Sequence, residues 1–130
     1  MTREFARFVV VGGFSALVNL VARVLLSRVL PYEAAVAAAY LVGMTTAFLL
    51  ARRFVFARSG RDARAEYLRF GLVNLVALAQ VWLVSMAMLH FVLPALGWTW
   101  QAELVAHAVG VVSPVVTSYF GHRLYTFRRV

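Results

Sequence analysis

The sequence contains no cysteine and no lysine, and acidic residues are scarce, with five Asp and Glu among 130 residues. The lack of cysteine excludes a disulfide framework and a thiolate metal site. Charged residues make up 14% of the chain, whereas about 25% is usual in soluble domains. So few charges do not cover the surface that a short domain leaves in water. The sequence therefore predicts that lipid surrounds most of this protein.

Motifs of soluble chemistry are also missing. There is no P-loop, no dinucleotide-binding glycine pattern and no His pair at metal-ligand spacing. No candidate nucleophile stands beside a base, so we expect no enzyme, no cofactor and no metal. The net charge of +8 is typical of a nucleic-acid partner in a soluble protein. In a membrane protein the positive-inside rule and anionic membrane lipids explain it, and no nucleic-acid partner is expected.

Apolar sequence is abundant: 63% of the residues are hydrophobic and the mean hydropathy is +0.82. A membrane-spanning helix takes roughly 20 residues, and the four candidate spans run over 8–30, 34–50, 68–93 and 102–120. The first is longer than the core of a signal peptide, so we expect it to be retained. Pro31 separates the first pair, and Pro94 and Gly97 separate the second. Tyr32, Trp98 and Trp100 near these turns fit an interfacial aromatic belt.

Eleven of the thirteen arginines lie at one end of these spans, whereas Arg23 falls inside a span and Arg28 lies beside the opposite turn. By the positive-inside rule, both termini and a basic loop over 57–68 face the cytoplasm, in a multi-pass protein of the inner (cytoplasmic) membrane. Asp62 and Glu66 are expected in this loop, paired with neighbouring arginines. The loop charge serves topology and anionic headgroups, or alternatively a specific partner.

The two halves of the chain share short patterns at equivalent span ends. Arg7-Phe8 precedes the first span and Arg69-Phe70 the third. The pattern Arg, any residue, aromatic, β-branched, Phe follows the second span and recurs after the fourth. Its aromatics are Phe54, Phe56, Tyr125 and Phe127. The predicted fold is all-α, with four transmembrane helices built as two parallel helical-hairpin repeats (about 7–56 and 69–127) in one domain, 1–130. Such repeats can form a transport path.

Polar groups within the spans are costly in lipid and are functional candidates. The predicted path for a headgroup or sugar uses Asn19, Arg23, Asn74, Gln80 and His107. Arg23 and His107 each lie roughly 24 Å from the cytoplasmic boundary at 1.5 Å per helical residue, so a cluster with Glu103 is possible. Alternatively, Arg23 snorkels to the outer interface and His107 bonds a backbone carbonyl.

Small residues and arginines mark two further features of the spans. Small residues recur every fourth position of the second span, which allows close approach of another helix from this chain or a second copy: Ala35, Ala39, Gly43, Ala47 and Ala51. Arginines at span ends form a candidate lipid-phosphate site: Arg7, Arg52, Arg53, Arg69 and Arg123. Arg binds phosphate bidentately. Topology is the alternative role of each, although the repetition favours function for Arg52 and Arg123.

These residues give the chain a family resemblance. The Arg-Phe start followed by Val-Gly-Gly (7–13), four spans, a basic central loop and two Arg-x-aromatic-x-Phe motifs resemble the GtrA-like family over about 7–127. The family usually has Asn before the motif Arg, where this chain has Ala51 and His122. The resemblance implies small membrane proteins that move polyprenyl-phosphate-linked sugars. It also implies the membrane domain of polyprenyl-phosphate glycosyltransferases.

Three functions follow for comparison. The leading prediction is the flipping of a polyprenyl-phosphate-linked sugar across the cytoplasmic membrane for cell-envelope polysaccharide synthesis or modification. The alternative is a non-transporting scaffold that recruits a glycosyltransferase partner to its lipid substrate. A small multidrug-type antiporter is disfavoured because it needs a carboxylate in the first span, and Glu4 lies before that span. Four helices enclose little volume for a sugar, so we predict a homodimer.

Overall fold

The computed structural model describes residues 2–130, which contain helices and no strand. The helices are α1 Thr2–Leu26, α2 Tyr32–Leu50, α3 Ala63–Ala87, α4 Leu93–Ala95, α5 Ala102–Val112 and α6 Pro114–Gly121. Three π-helices adjoin them: π1 Ala51–Val55, π2 Met88–Val92 and π3 His122–Thr126. In the described range four helical segments are long and apolar enough to cross a membrane, Thr2–Leu26, Tyr32–Val55, Ala63–Ala95 and Ala102–Thr126. The all-α, four-span prediction is confirmed.

The chain divides into two compact units, each described by itself. The first extends to Arg61 and includes Arg129 and Val130, and the second is Asp62–Arg128. The first unit contains α1, α2 and π1, and the second contains the remaining helices. Each unit thus holds the helices of one predicted hairpin.

In the first unit α1 and α2 pack along each other. Gly43 lies at the closest approach, since a Cβ added there would meet Asn19 Cβ at 2.8 Å and Ser15 O at 3.1 Å. Ala35 and Ala39 on the same stripe of α2 are fully buried. The small-residue face of the second span therefore has a neighbour within this chain, namely α1.

Two spans end in a π-helix where the Arg-aromatic motif lies. The Phe56 amide donates to the Ala51 carbonyl at 3.0 Å, and the Phe127 amide donates to the His122 carbonyl at 2.8 Å. These bonds reach five residues back, as in π-helices, which are frequent at functional sites. The sequence did not predict them, because hydrophobic periodicity does not distinguish a π-turn from the end of an α-helix.

The helices α1 and α3 begin earlier than predicted. Residues 63–68 of the expected loop are helical, because this alanine-rich segment favours helix. The loop placement of Glu66 is therefore wrong: Glu66 lies in α3 and is 1% exposed. Glu4 likewise lies in the first turn of α1 rather than before it.

The fourth span is interrupted near its middle, between α5 and α6. Pro114 has no N–H for the carbonyl four residues back, and that carbonyl belongs to Gly110. The Ser113 hydroxyl donates to the Gly110 carbonyl instead, at 2.8 Å. Gly110 is also buried against α3, where an added Cβ would meet the Val81 carbonyl at 2.7 Å and the Ser85 hydroxyl. The break therefore leaves the freed carbonyl with a donor, as the bilayer requires.

The predicted turn between the last two spans is also present. Gly97 has a φ of +69°. The Trp98 amide donates to the Leu93 carbonyl at 2.9 Å and the Gly97 amide to the Pro94 carbonyl at 3.1 Å. This pair of bonds is a Schellman motif, which ends the helix at a left-handed glycine.

Candidate lipid-phosphate sites

In the first unit an arginine from the start of α1 reaches the end of the second span. Arg7 Nη1 donates to the carbonyl of Phe54 in π1 at 3.4 Å. Carbonyls in the last turn of a helix lack an intrahelical donor, so the guanidinium supplies one. The guanidinium of Arg53 lies 5.7 Å from the centre of the Phe54 ring. An open groove of about 580 Å³ adjoins these groups, lined by Ala6, Arg7, Val10, Val11, Arg53 and Phe54.

In the second unit the arginine at the start of the third span makes the same kind of contact. Arg69 Nη1 donates to the Tyr125 carbonyl in π3 at 3.0 Å. Its guanidinium also lies 4.4 Å from the centre of the Tyr125 ring, within cation–π range. Guanidinium has five N–H donors in a planar fork. Arg69 thus keeps donor capacity for an anion while it is held by a backbone carbonyl.

The phenylalanines beside these arginines also pair in the same way within each unit. Phe8 meets Phe56 edge to face at 6.1 Å between ring centres, and Phe70 meets Phe127 at 6.3 Å. The aromatic and arginine positions that recur in sequence therefore make corresponding contacts in the two units. These contacts are what a duplicated hairpin produces, and duplication itself stays a prediction.

Arg52 and Arg123 are placed differently from the other three predicted phosphate ligands. They lie in π1 and π3, and both are half-buried and in contact with other described residues. Neither lines the grooves beside Phe54 and Tyr125. Arg7 and Arg53 line the groove beside Phe54, and Arg69 contacts Tyr125, which lines the other groove. A phosphate role stays a prediction for all five arginines.

The position before the second motif Arg holds a buried histidine. His122 is 2% exposed, its ring stacks on Phe70 at 4.1 Å, and its Nδ1 lies 3.1 Å from Thr126 Oγ1. The corresponding residues of the first unit, Ala51 and Val55, are apolar. At the position where the family usually has Asn, the second unit therefore has the buried ring of His122, which packs on Phe70.

Glu66 is the buried residue that the sequence interpretation missed. It belongs to a longer repeated pattern, Glu-aromatic-x-Arg-Phe, present at Glu4–Phe8 and again at Glu66–Phe70. This signal was available in the sequence. A buried carboxylate is costly unless it is paired, and Glu66 does interact with another described residue.

The predicted path residues are distributed over several contacts within the units. In the second unit Gln80 Oε1 accepts a hydrogen bond from Thr117 Oγ1 at 2.8 Å. Both line an open groove of about 450 Å³ between α3 and α6. His107 is exposed and lines a second groove, of about 580 Å³, between α3 and α5. Asn74 is half-buried in α3.

In the first unit the two remaining path residues have local partners. Asn19 packs against Gly43 at the contact of α1 and α2. The Arg23 guanidinium lies 5.5 Å from the centre of the Tyr32 ring, a contact compatible with an interfacial position. The cluster of Arg23 with His107 and Glu103 stays a prediction.

Comparison with known proteins identifies the family of the chain. Residues 7–127 match the family described as GtrA/DPMS, transmembrane domain. No curated protein and no solved structure gave a significant match. The match covers both units and both motifs, and the family's description indicates a membrane function related to polyprenyl-phosphate sugars. The chain is therefore a multi-pass membrane protein that belongs to the GtrA/DPMS transmembrane-domain family.

Proposed function

We propose that the chain flips a polyprenyl-phosphate-linked sugar across the cytoplasmic membrane for cell-envelope polysaccharide synthesis or modification, as a non-catalytic protein. The observation that carries this proposal is the pairing of a span-start arginine with a motif aromatic inside each unit. Arg7 contacts Phe54 and Arg69 contacts Tyr125. Arg7 lines one open groove, and Tyr125, the residue that Arg69 contacts, lines the other; both grooves are largely apolar.

Beside each of these arginines the proposed lipid meets a charged environment and an apolar one. Its phosphate accepts hydrogen bonds from Arg69, or from Arg7 and Arg53, at headgroup level, while its prenyl chain remains among apolar side chains. Arginine suits this role because its fork matches two phosphate oxygens and it stays charged. With the arginine-rich side in the cytoplasm, these sites face the leaflet in which lipid-linked sugars are made. His107, which lines the groove between α3 and α5, then supplies a polar group along the spans for the sugar.

Flipping is tested in proteoliposomes that carry a fluorescent polyprenyl-phosphate sugar in one leaflet. Replacement of Arg7 and Arg69 together by Lys keeps the charge but removes the fork. We expect flipping to fall about tenfold or more, because loss of one hydrogen bond to a charged group costs about 1.5–3 kcal/mol and about 1.4 kcal/mol corresponds to a factor of ten. The matched control changes the exposed Arg58 and Arg64 to Lys, and should retain the wild-type rate.

Two results would contradict the proposal. If purified wild-type protein does not accelerate flipping, the transport function is wrong. If the Arg7/Arg69 variant flips at the control rate while it is folded by circular dichroism, the phosphate site is misplaced. Crosslinking in lipid checks the homodimer, because a dimer adds volume for the sugar that four helices do not enclose.

A scaffold that recruits a polyprenyl-phosphate glycosyltransferase is the second candidate. It is favoured by the exposed arginines Arg58 and Arg64 between the second and third spans and by the family description, which includes DPMS. It predicts that a glycosyltransferase co-purifies with the chain and is lost from the R58Q/R64Q double variant. Full flipping by the purified chain alone would exclude the scaffold as its sole role.

A further inference from the structure

We propose that the groove between α3 and α6 holds the isoprene units next to the phosphate of a polyprenyl phosphate, with or without its sugar. The phosphate then lies at Arg69. This inference rests on the proposed function and specifies where in the second unit its lipid binds.

The lining of the groove fits a hydrocarbon chain. Its residues are Leu72, Val73, Leu75, Val76, Ala77, Gln80, Thr117, Ser118, Gly121 and Tyr125. Thr117 donates to Gln80 Oε1, so two of the few polar groups in the groove already bond each other. Gly121 lies on Val73, where an added Cβ would come within 2.9 Å of Cγ1. The groove thus has an apolar floor and little unsatisfied polarity.

One end of the groove carries the charge that such a lipid needs. Tyr125 closes that end, and the guanidinium of Arg69 lies over its ring. Arg69 is at the span end that the charge pattern predicts to be cytoplasmic, at headgroup level. A ligand with an anionic group at this end and an apolar chain along the rest therefore matches both features.

The length of the groove matches one leaflet. From Arg69 to Gln80 the helix α3 rises roughly 16 Å at 1.5 Å per residue. Half of a hydrocarbon core of about 30 Å is about 15 Å. A chain that starts at Arg69 and reaches the Gln80–Thr117 pair thus follows the protein through the cytoplasmic leaflet.

A prenyl chain fits better than the chains of ordinary phospholipids. Lipid tails are as apolar as the groove, so apolarity alone gives no preference inside a bilayer and shape decides. One groove beside one arginine suits a lipid with one chain per phosphate, whereas a glycerophospholipid carries two. The methyl branches of isoprene units also give the chain an uneven outline, which suits the branched side chains of Leu72, Leu75 and Val76 that line the groove.

The test uses a polyprenyl phosphate with a diazirine on the isoprene unit nearest the phosphate. The protein is reconstituted in vesicles of phosphatidylethanolamine and phosphatidylglycerol, irradiated, and the labelled peptides are identified by mass spectrometry. We expect labels at the end of the groove nearest Arg69, within residues 72–76 and 121–125. Ala77→Phe fills the groove and should reduce labelling about fivefold, which corresponds to about 1 kcal/mol.

Matched variants separate the groove from general effects on the protein. Ala79→Phe makes the same change in α3 but faces the second groove, beside Trp82 and His107, and should keep wild-type labelling. Ser118→Leu fills the first groove from α6, so it replaces Ala77→Phe if that variant does not fold. The comparison lipid is a phosphatidylglycerol with a diazirine in one acyl chain. When polyprenyl phosphate is present in the same vesicles, this lipid should not label the groove.

The outcomes distinguish this inference from the proposed function. Labelling elsewhere in the chain, or equal labelling of the groove by phosphatidylglycerol, overturns the groove while the transport function stands. Unchanged labelling in both groove-filling variants also overturns it. If the wild-type protein is not labelled above an unirradiated control, the groove is overturned. If it also fails to flip the sugar lipid, the proposed function falls as well.

Discussion

Arg69 holds Tyr125 in two ways: its Nη1 donates to the Tyr125 carbonyl at 3.0 Å, and its guanidinium lies 4.4 Å from the centre of the Tyr125 ring. The carbonyl belongs to the last turn of the fourth span, where a positive charge also interacts favourably with the helix dipole. Arg7 makes the longer contact with Phe54, at 3.4 Å. The arginines that we propose as phosphate ligands are therefore also structural groups at helix ends.

This double role predicts a difference between two replacements of Tyr125. Tyr125→Phe retains the ring and the carbonyl, and should leave the thermal unfolding midpoint in detergent unchanged. Tyr125→Leu removes the cation–π contact, which is worth about 0.5–1 kcal/mol at an exposed site, and should lower the midpoint slightly. An equal loss in the two variants would show that the hydroxyl, rather than the ring, supports Arg69.

The close contact of α3 and α5 at Gly110 predicts a larger effect on stability than the changes at Tyr125. Gly110→Ala places a methyl group against the Val81 carbonyl and the Ser85 hydroxyl, and overpacking of this kind typically costs about 1–3 kcal/mol. Gly12→Ala is the control, since an added Cβ there meets no atom of a neighbouring helix within 4 Å. Unfolding in a mixed-micelle denaturant series should separate the two variants. Equal stability would contradict the close contact of α3 and α5.

The proline break predicts an energetic coupling between Ser113 and Pro114, which a double-mutant cycle measures. Ser113→Ala leaves the Gly110 carbonyl without the donor at 2.8 Å, and should cost about 1 kcal/mol. In a Pro114→Ala background the new backbone N–H reaches that carbonyl, so the same Ser113→Ala change should cost much less. Stabilities of the two single variants, the double variant and the wild type give the coupling energy. A coupling of zero would mean that Ser113 does not compensate for Pro114.

The buried carboxylate predicts an asymmetry between the two units. Glu66 is 1% exposed and Glu4, at the same place in its repeated pattern, is half-buried. A buried hydrogen-bonding group that loses its partner costs about 1–3 kcal/mol, and a charged one more, whereas the partner of a half-buried carboxylate keeps contact with water. Glu66→Ala should therefore lower the unfolding midpoint far more than Glu4→Ala does. Similar losses would indicate that Glu66 carries no structural charge pair.

The sequence predicted most of the architecture but only part of the candidate sites. Span length, Pro31, Pro94 and Gly97 located four spans and two turns because hydrophobic length and helix termination are local properties. The sequence placed the start of α3 too late. Hydropathy locates only the apolar part of a helix, and α3 begins in the charged segment that precedes it. Arg69 was named as a ligand, but its bond to Tyr125 joins residues far apart in sequence, and composition does not show such pairs.

The sequence by itself determined that lipid surrounds the protein and that it has four spans. It also determined the family and the recurrence of the Arg-aromatic motif, because each of these depends on local composition or order. Only the tertiary structure decided which groups meet. It placed Gly43 against α1, buried Glu66, and brought Arg69 to Tyr125 beside an apolar groove. Helix packing makes these choices, since the rotation and spacing of neighbouring helices bring distant residues within bonding distance.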